Sequence, residues 1–168
     1  KALKIEEELG NKNGIASNLG NMGLVYQNQS DYPKALEYYG KALKIDEELG
    51  NKNGIASNLG NMGIVYQNQS DYPKALEYYT KALMINEELG NKSGIANTLG
   101  NMGNIYNYQS DYPKALEYYG KALKINEELG NKRSIANNLI NIGNLYISIN
   151  ELDKSLDYLN RGLVLNEK

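Results

Sequence analysis

Apolar residues recur along this chain with two nested periods, one of a helical turn and one of 40 residues. Residues 11–50, 51–90 and 91–130 align without a gap, and 131–168 follows as a fourth, divergent copy. Copies 1 and 2 differ only at Leu24/Ile64, Gly40/Thr80, Lys44/Met84 and Asp46/Asn86, while copy 3 departs from copy 1 at eight positions. Within copy 2, Ile55, Leu59, Met62 and Tyr66 fall at i, i+4, i+7 and i+11, one face of a 3.6-residue period. This stripe predicts a helix A over about 52–69. A second helix, B, is expected over about 72–89, with Ala75, Tyr79, Ala82, Leu83 and Leu89 on its buried side. The turn Gln69-Ser70-Asp71 offers cap oxygens, and Pro73 falls in the first turn, where its missing N–H costs nothing. Gly90 is placed to stop helix B, and Asn91 to cap the next helix A. No segment alternates with period 2 for long, so the fold class is all-α.

Helix A is weak alone. Gly54, Gly60 and Gly63 each cost about 1 kcal/mol relative to Ala in a helix interior. Such a helix must be held by its neighbours, and stacked helix pairs supply the continuous core that one pair lacks. The expected organisation is a single array over 1–168, with repeats at 11–50, 51–90, 91–130 and 131–168. Lys1–Gly10 resembles residues 41–50, so the chain is expected to open on the second half of a preceding helix B, as a piece of a longer array. That leaves Val25 short of a packing partner. On the last helix, Leu156, Leu159, Leu163 and Leu165 are expected without a polar capping helix.

The repeated residues resemble the tetratricopeptide family. Leu59, Met62-Gly63, Tyr66, the Asp71-Tyr72 turn, Ala75, Tyr79 and Ala82 stand at that family's spacing. The set recurs as Leu19, Met22-Gly23, Tyr26, Ala35, Tyr39 and Ala42 in copy 1, and again in copy 3. Copy 4 keeps Leu139, Gly143 and Tyr146 but carries Ser155, Leu159 and Gly162 at the later positions. The period of 40 exceeds the family's usual 34, because helix B runs on through Glu-Glu-Leu-Gly. This longer form resembles the repeats of the Leu-Gly-Asn-rich spindle-orientation adaptor and of kinesin light chains, and long arrays of bacterial signalling proteins. The resemblance implies a right-handed superhelical solenoid of antiparallel helix pairs. It also implies a non-catalytic protein–protein interaction module whose concave groove, lined by A helices, holds an extended peptide.

A helical wheel places the groove. Opposite the Leu59 stripe lie Ser57, Asn61, Ile64 and Asn68. The equivalents are Ser17, Asn21, Leu24 and Asn28; then Asn97, Asn101, Asn104 and Tyr108; then Asn137, Asn141, Asn144 and Ser148. Asn21, Asn61, Asn101 and Asn141 form one rung per repeat. A side-chain amide is both donor and acceptor, so it can pair with a peptide backbone whatever its sequence. The same ladder would also arise by simple duplication, or by satisfying backbone groups between helices. Leu24 and Ile64 supply an aliphatic anchor over repeats 1 and 2, whereas Asn104, Asn144 and Tyr108 make the other end polar. None of the sixteen positions is Lys or Arg, so a strongly acidic peptide is not the expected ligand. The rival reading is a self-assembling scaffold joined end to end through exposed solenoid ends.

Composition then removes alternatives. There is no Cys, His, Trp or Phe, against 15 Tyr and 25 Asn. Thiolate chemistry and the usual zinc and transition-metal sites are thereby excluded, and no metal or cofactor is expected. A net charge of −2 gives no basic stripe for nucleic acid. The absence of a signal peptide, membrane span and Cys leads to an expected cytoplasmic location, with no membrane partner. Catalysis would rest on Asp, Glu, Lys and Tyr alone, and these lie at repeat spacing on the expected convex face, so no enzyme is expected. Gly20-Asn21-Met22-Gly23 lacks the preceding strand of a phosphate loop. The triplets Asn28-Gln29-Ser30, Asn68-Gln69-Ser70 and Asn91-Lys92-Ser93 match the glycosylation pattern, but an Asn-rich chain produces such matches readily. Tyr39, Tyr66 and Tyr79 are read as core, and Glu37–Lys41 as a solvated i, i+4 pair.

Overall fold

The four A helices and the first three B helices are each capped by the side chain the sequence places there. The Asn11, Asn51, Asn91 and Asn131 side chains accept the backbone N–H three residues on, at 3.0–3.2 Å. Asp31, Asp71 and Asp111 accept from Lys34, Lys74 and Lys114 N–H at 3.3 Å. The computed structural model describes residues 11–166, which form eight helices and, among the described residues, no strand. They are α1 (Lys12–Asn28), α2 (Tyr32–Leu49), α3 (Lys52–Asn68), α4 (Tyr72–Glu88), α5 (Lys92–Tyr108), α6 (Tyr112–Leu129), α7 (Lys132–Ser148) and α8 (Leu152–Asn166). Residues 1–10, and with them the expected half-helix, lie outside the described residues.

Helix ends follow local chemistry. Gly50 and Gly130 take φ of +66° and +65° just past α2 and α6, a left-handed stop that glycine enters without a Cβ penalty. The turn from each A helix to its B helix instead places Ser30, Ser70, Ser110 and Asn150 at φ near +60°.

The chain divides into two compact units, residues 1–90 and 91–168. In the first, α1 packs on α2 and α3 on α4, while α2 also packs on α3 and α1 touches α3. The connections within pairs are too short for anything but an antiparallel return. The core joins Ala35 and Tyr39 of α2 to Met62 and Val65 of α3. In the second unit, α5 packs on α6, α6 on α7 and α7 on α8, and Ala115 and Tyr119 meet Ile142 and Leu145.

The buried face of α3 is wider than the single expected stripe. In α3 Leu59 and Met62 are buried, Ile55 and Tyr66 are half-buried, and Ala56, Asn58, Gly63 and Val65 are buried as well. The reason is that α3 packs on both α2 and α4, the B helices of two repeats. On α4, Ala75, Tyr79 and Ala82 are buried and Leu83 half-buried as expected. Leu89 is a correction: α4 ends at Glu88, and the Leu89 side chain is exposed. Val25 is 53% exposed where its equivalent Val65 is fully buried.

Two recurring contacts lock a pair together. The first is a close fit of Tyr against Gly. A Cβ on Gly63 would stand 2.5 Å from the Tyr79 ring, and one on Gly23 2.7 Å from Tyr39. The Tyr39 and Tyr79 hydroxyls donate to Gln27 and Gln67 at 2.8 Å, and burial pushes Tyr39 up to about 12. The second is a tyrosine stack: Tyr26 on Tyr38, Tyr66 on Tyr78, Tyr106 on Tyr118 and Tyr146 on Tyr158, with ring centroids 5.1–5.4 Å apart. Lysines cover the outer faces, as Lys34 does over Tyr26 and Lys41 over Tyr38. The expected Glu37–Lys41 pair forms at 2.6 Å and is exposed. Among the described residues, no helix is long and apolar enough to cross a membrane.

Candidate functional site

None of the sixteen residues read as groove-lining is buried; each is exposed or half-buried. In the first unit, five of them come together. Ser17, Asn21 and Leu24 of α1 and Ser57 and Asn61 of α3 line one cleft of about 300 Å³. These helices supply Asn and Ser to the cleft because their apolar residues are spent on the opposite face against α2 and α4. Leu24 is 45% exposed, so an aliphatic surface stands open beside the amides. Ile64, Asn28 and Asn68 are not among the residues lining this cleft.

The cleft also holds residues the wheel did not assign. Asn13, Ala16 and Gly20 of α1, Gly54 and Asn58 of α3, and Asn51 line it, together with Asp46 from α2. Asp46 is 3% exposed. Its Oδ1 accepts from Asn51 Nδ2 at 2.7 Å and its Oδ2 from Asn58 Nδ2 at 2.8 Å. Gly54 makes the approach possible, because a Cβ there would collide with the Asp46 carboxyl group. The signal was present in the sequence: Asp46 is one of the four differences between copies 1 and 2, and copies 2 and 3 carry Asn86 and Asn126 instead. A wheel of helix A alone does not see it, since the residue comes from helix B.

The second unit places its candidates differently. Asn104 accepts the Tyr119 hydroxyl at 2.7 Å, replacing the Gln contact of the earlier copies, where the equivalent residue is now Asn107. Asn104 is therefore partly turned to structural work. Burial pushes Tyr119 up to about 12, with Tyr108 nearby adding to the shift. Ser148 donates to the Asn144 carbonyl at 3.3 Å. Asn97 and Asn137 are exposed, and Asn101 and Asn141 half-buried.

The repeat spacing and the paired helices agree with one family model. The Tetratricopeptide repeat model matches residues 14–88 and 94–168. The chain belongs to the tetratricopeptide-repeat family. Repeats of this family are generally protein-interaction modules. No curated protein matches the chain by sequence. Solved structures share its fold at low identity. BtubC (BKLC) from P. vanneervenii has a TM-score of 0.82 and 21% identity, covering 94% of this chain. The apo form of RapI gives 0.84 and 21%, and a Rap protein complexed with competence and sporulation factor gives 0.86 and 20%, each covering 95% of this chain. This tetratricopeptide array spans 65% of the BtubC chain and 45% of each Rap chain.

Proposed function

We propose that this chain is a non-catalytic interaction module that takes an extended peptide segment of a partner protein, and that the segment seats in the cleft between α1 and α3. The carrying observation is the cleft's lining. Asn21 and Asn61 offer a donor and an acceptor each to a peptide backbone, and Leu24 offers an apolar contact for one side chain. No catalytic nucleophile or acid–base pair is part of this reading. The similar Rap structure that holds a factor supports ligand capture by such a fold as precedent. In the second unit, Asn97, Asn101, Asn137 and Asn141 carry the same role, with Asn104 contributing less because of its bond to Tyr119.

A peptide-display selection against the chain and against its Asn21→Ala/Asn61→Ala variant tests this reading. One enriched motif with an aliphatic residue, lost in the variant, is the expected result. Failure to enrich any motif overturns it, as does equal enrichment by both proteins.

The rival reading, self-association, is favoured by a specific surface. Leu152, Leu156 and Leu163 share a face of α8 and are each 55–60% exposed. Such contiguous apolar area marks an interaction surface. Sedimentation over a hundredfold range of concentration, with and without Leu156→Glu/Leu163→Glu, separates the two. Mass that rises with concentration and reverts in the variant supports assembly through α8.

A further inference from the structure

We propose that the α1–α3 cleft is a seat for a basic side chain, the ammonium or guanidinium of a Lys or Arg on the bound segment, with Asp46 as its counter-charge. This rests on the reading that the cleft takes a partner segment, and it adds the chemistry that selects the segment.

The argument begins with charge. Of the residues lining the cleft, Asp46 alone is ionisable; the rest are Asn, Ser, Gly, Ala and Leu. Its carboxylate is almost wholly withdrawn from water, and among the described residues no Lys or Arg pairs with it. Lys12 and Lys52, next in sequence to the cleft residues Asn13 and Asn51, pair elsewhere, with Glu48 and Glu88, both at 2.8 Å on the surface. A buried carboxylate without a cation is costly unless hydrogen bonds or a counter-ion compensate it.

The hydrogen bonds compensate in part. Asn51 and Asn58 give each oxygen one donor, yet two carboxylate oxygens offer about four lone-pair sites. The amides orient the carboxylate and leave acceptor capacity unused. A cation arriving through the cleft would make charge-assisted hydrogen bonds in a place partly screened from water, where such bonds are strongest. The exposed Leu24 lines the same cleft and suits the methylene stem of Lys or Arg, or an aliphatic neighbour.

Position 46 is also where the repeats diverge. The equivalent buried residues are Asn86 and Asn126, neutral and of the same shape. The fold therefore accepts the amide there, and the acid in copy 1 is not required for packing. Gly54, which clears the space beside the carboxyl group, completes a built site rather than an incidental surface acid.

The test uses small probes on the full chain. n-Butylammonium, n-butylguanidinium and butan-1-ol are titrated while the Asn51 and Asn58 side-chain amides are followed by NMR. Both cations should give saturable shifts confined to α1, α3 and the end of α2, and butanol none. Asp46→Asn should weaken both cations at least tenfold while keeping the dispersed spectrum of a folded chain. Ser57→Lys, which tethers an ammonium at the mouth of the cleft and leaves Asp46 in place, should block the probes likewise. Absence of saturable shifts, or shifts unchanged in Asp46→Asn, overturns the assignment. The peptide selection separates this from the broader reading. Neutral motifs enriched without any cation response would leave peptide capture standing and remove the charge seat. Cation response without any enriched peptide would keep the seat and remove peptide capture. Where both hold, selected peptides should carry Lys or Arg and lose at least tenfold in affinity when it is replaced by norleucine.

Discussion

Gly60 and Gly63 stand three positions apart on α3 and meet opposite surroundings. A Cβ at Gly60 finds nothing within 4 Å, whereas one at Gly63 runs into the Tyr79 ring. Gly60→Ala should therefore stabilise the chain by about 0.5–1 kcal/mol, the ordinary propensity gain. Gly63→Ala should cost about 1–3 kcal/mol, because overpacking outweighs that gain and the Tyr79 hydroxyl is already fixed to Gln67. Urea unfolding of the two variants checks both signs. Propensity marks both residues as helix-weakening, and the family spacing singles out Gly63 alone; the reason, which is the face that meets helix B, is visible only once the ring is in place. Asp46 is a harder case of the same kind: its identity is plain in the repeat alignment, but its place in the cleft comes from another helix.

At the scale of single helices, most of what the sequence implied is found, because caps act locally. Asn51 and Asp71 sit where the pattern starts a helix, and a cap needs only the next turn to form. Asp71→Ala should cost about 1 kcal/mol, read as a lower urea midpoint. The same carboxylates make stability depend on pH. Lys34, Lys74 and Lys114 donate to Asp31, Asp71 and Asp111 and hold these groups below the usual carboxyl value of 3.8. The unfolded chain thus takes up protons first. The contribution is full above 3.8 and is lost as pH falls below it through the lower native values. Thermal melts should show the midpoint falling on acidification in that range, less so in an Asp31→Asn/Asp71→Asn/Asp111→Asn variant. At the alkaline end the sign also opposes folding. Tyr39 and Tyr119 keep their protons up to about 12 in the native state, against 10 when unfolded. Stability should drop between pH 10 and 12, and Tyr39→Phe should flatten the drop.

For the whole molecule, the repeat arithmetic of the sequence carries over to the order of the helices, and the apolar period to their pairing. What it leaves out is how broad the buried face of α3 becomes, since Val65 is covered by packing with Ala35 and Tyr39 of the preceding B helix. Stability in such an array is close to a sum over repeats and their neighbours. Removing 131–168 should lower the urea m-value by roughly a quarter, in proportion to the surface no longer exposed on unfolding, while the remaining helices keep their signal.

The Tyr-to-Gly fit has one more consequence. Tyr39, Tyr79 and Tyr119 close on Gly23, Gly63 and Gly103 in the same way, so three locks share one key. Only the last pair is cut differently, with Leu159 on Gly143. Short turns keep each key beside its own lock when chains are dilute. In crowded refolding, a B helix of one chain fits the A helix of another equally well, and exchanged dimers should accumulate with concentration. The fourth repeat, with its different key, should take part only in the in-register form of such exchange, never in the mismatched forms open to the first three.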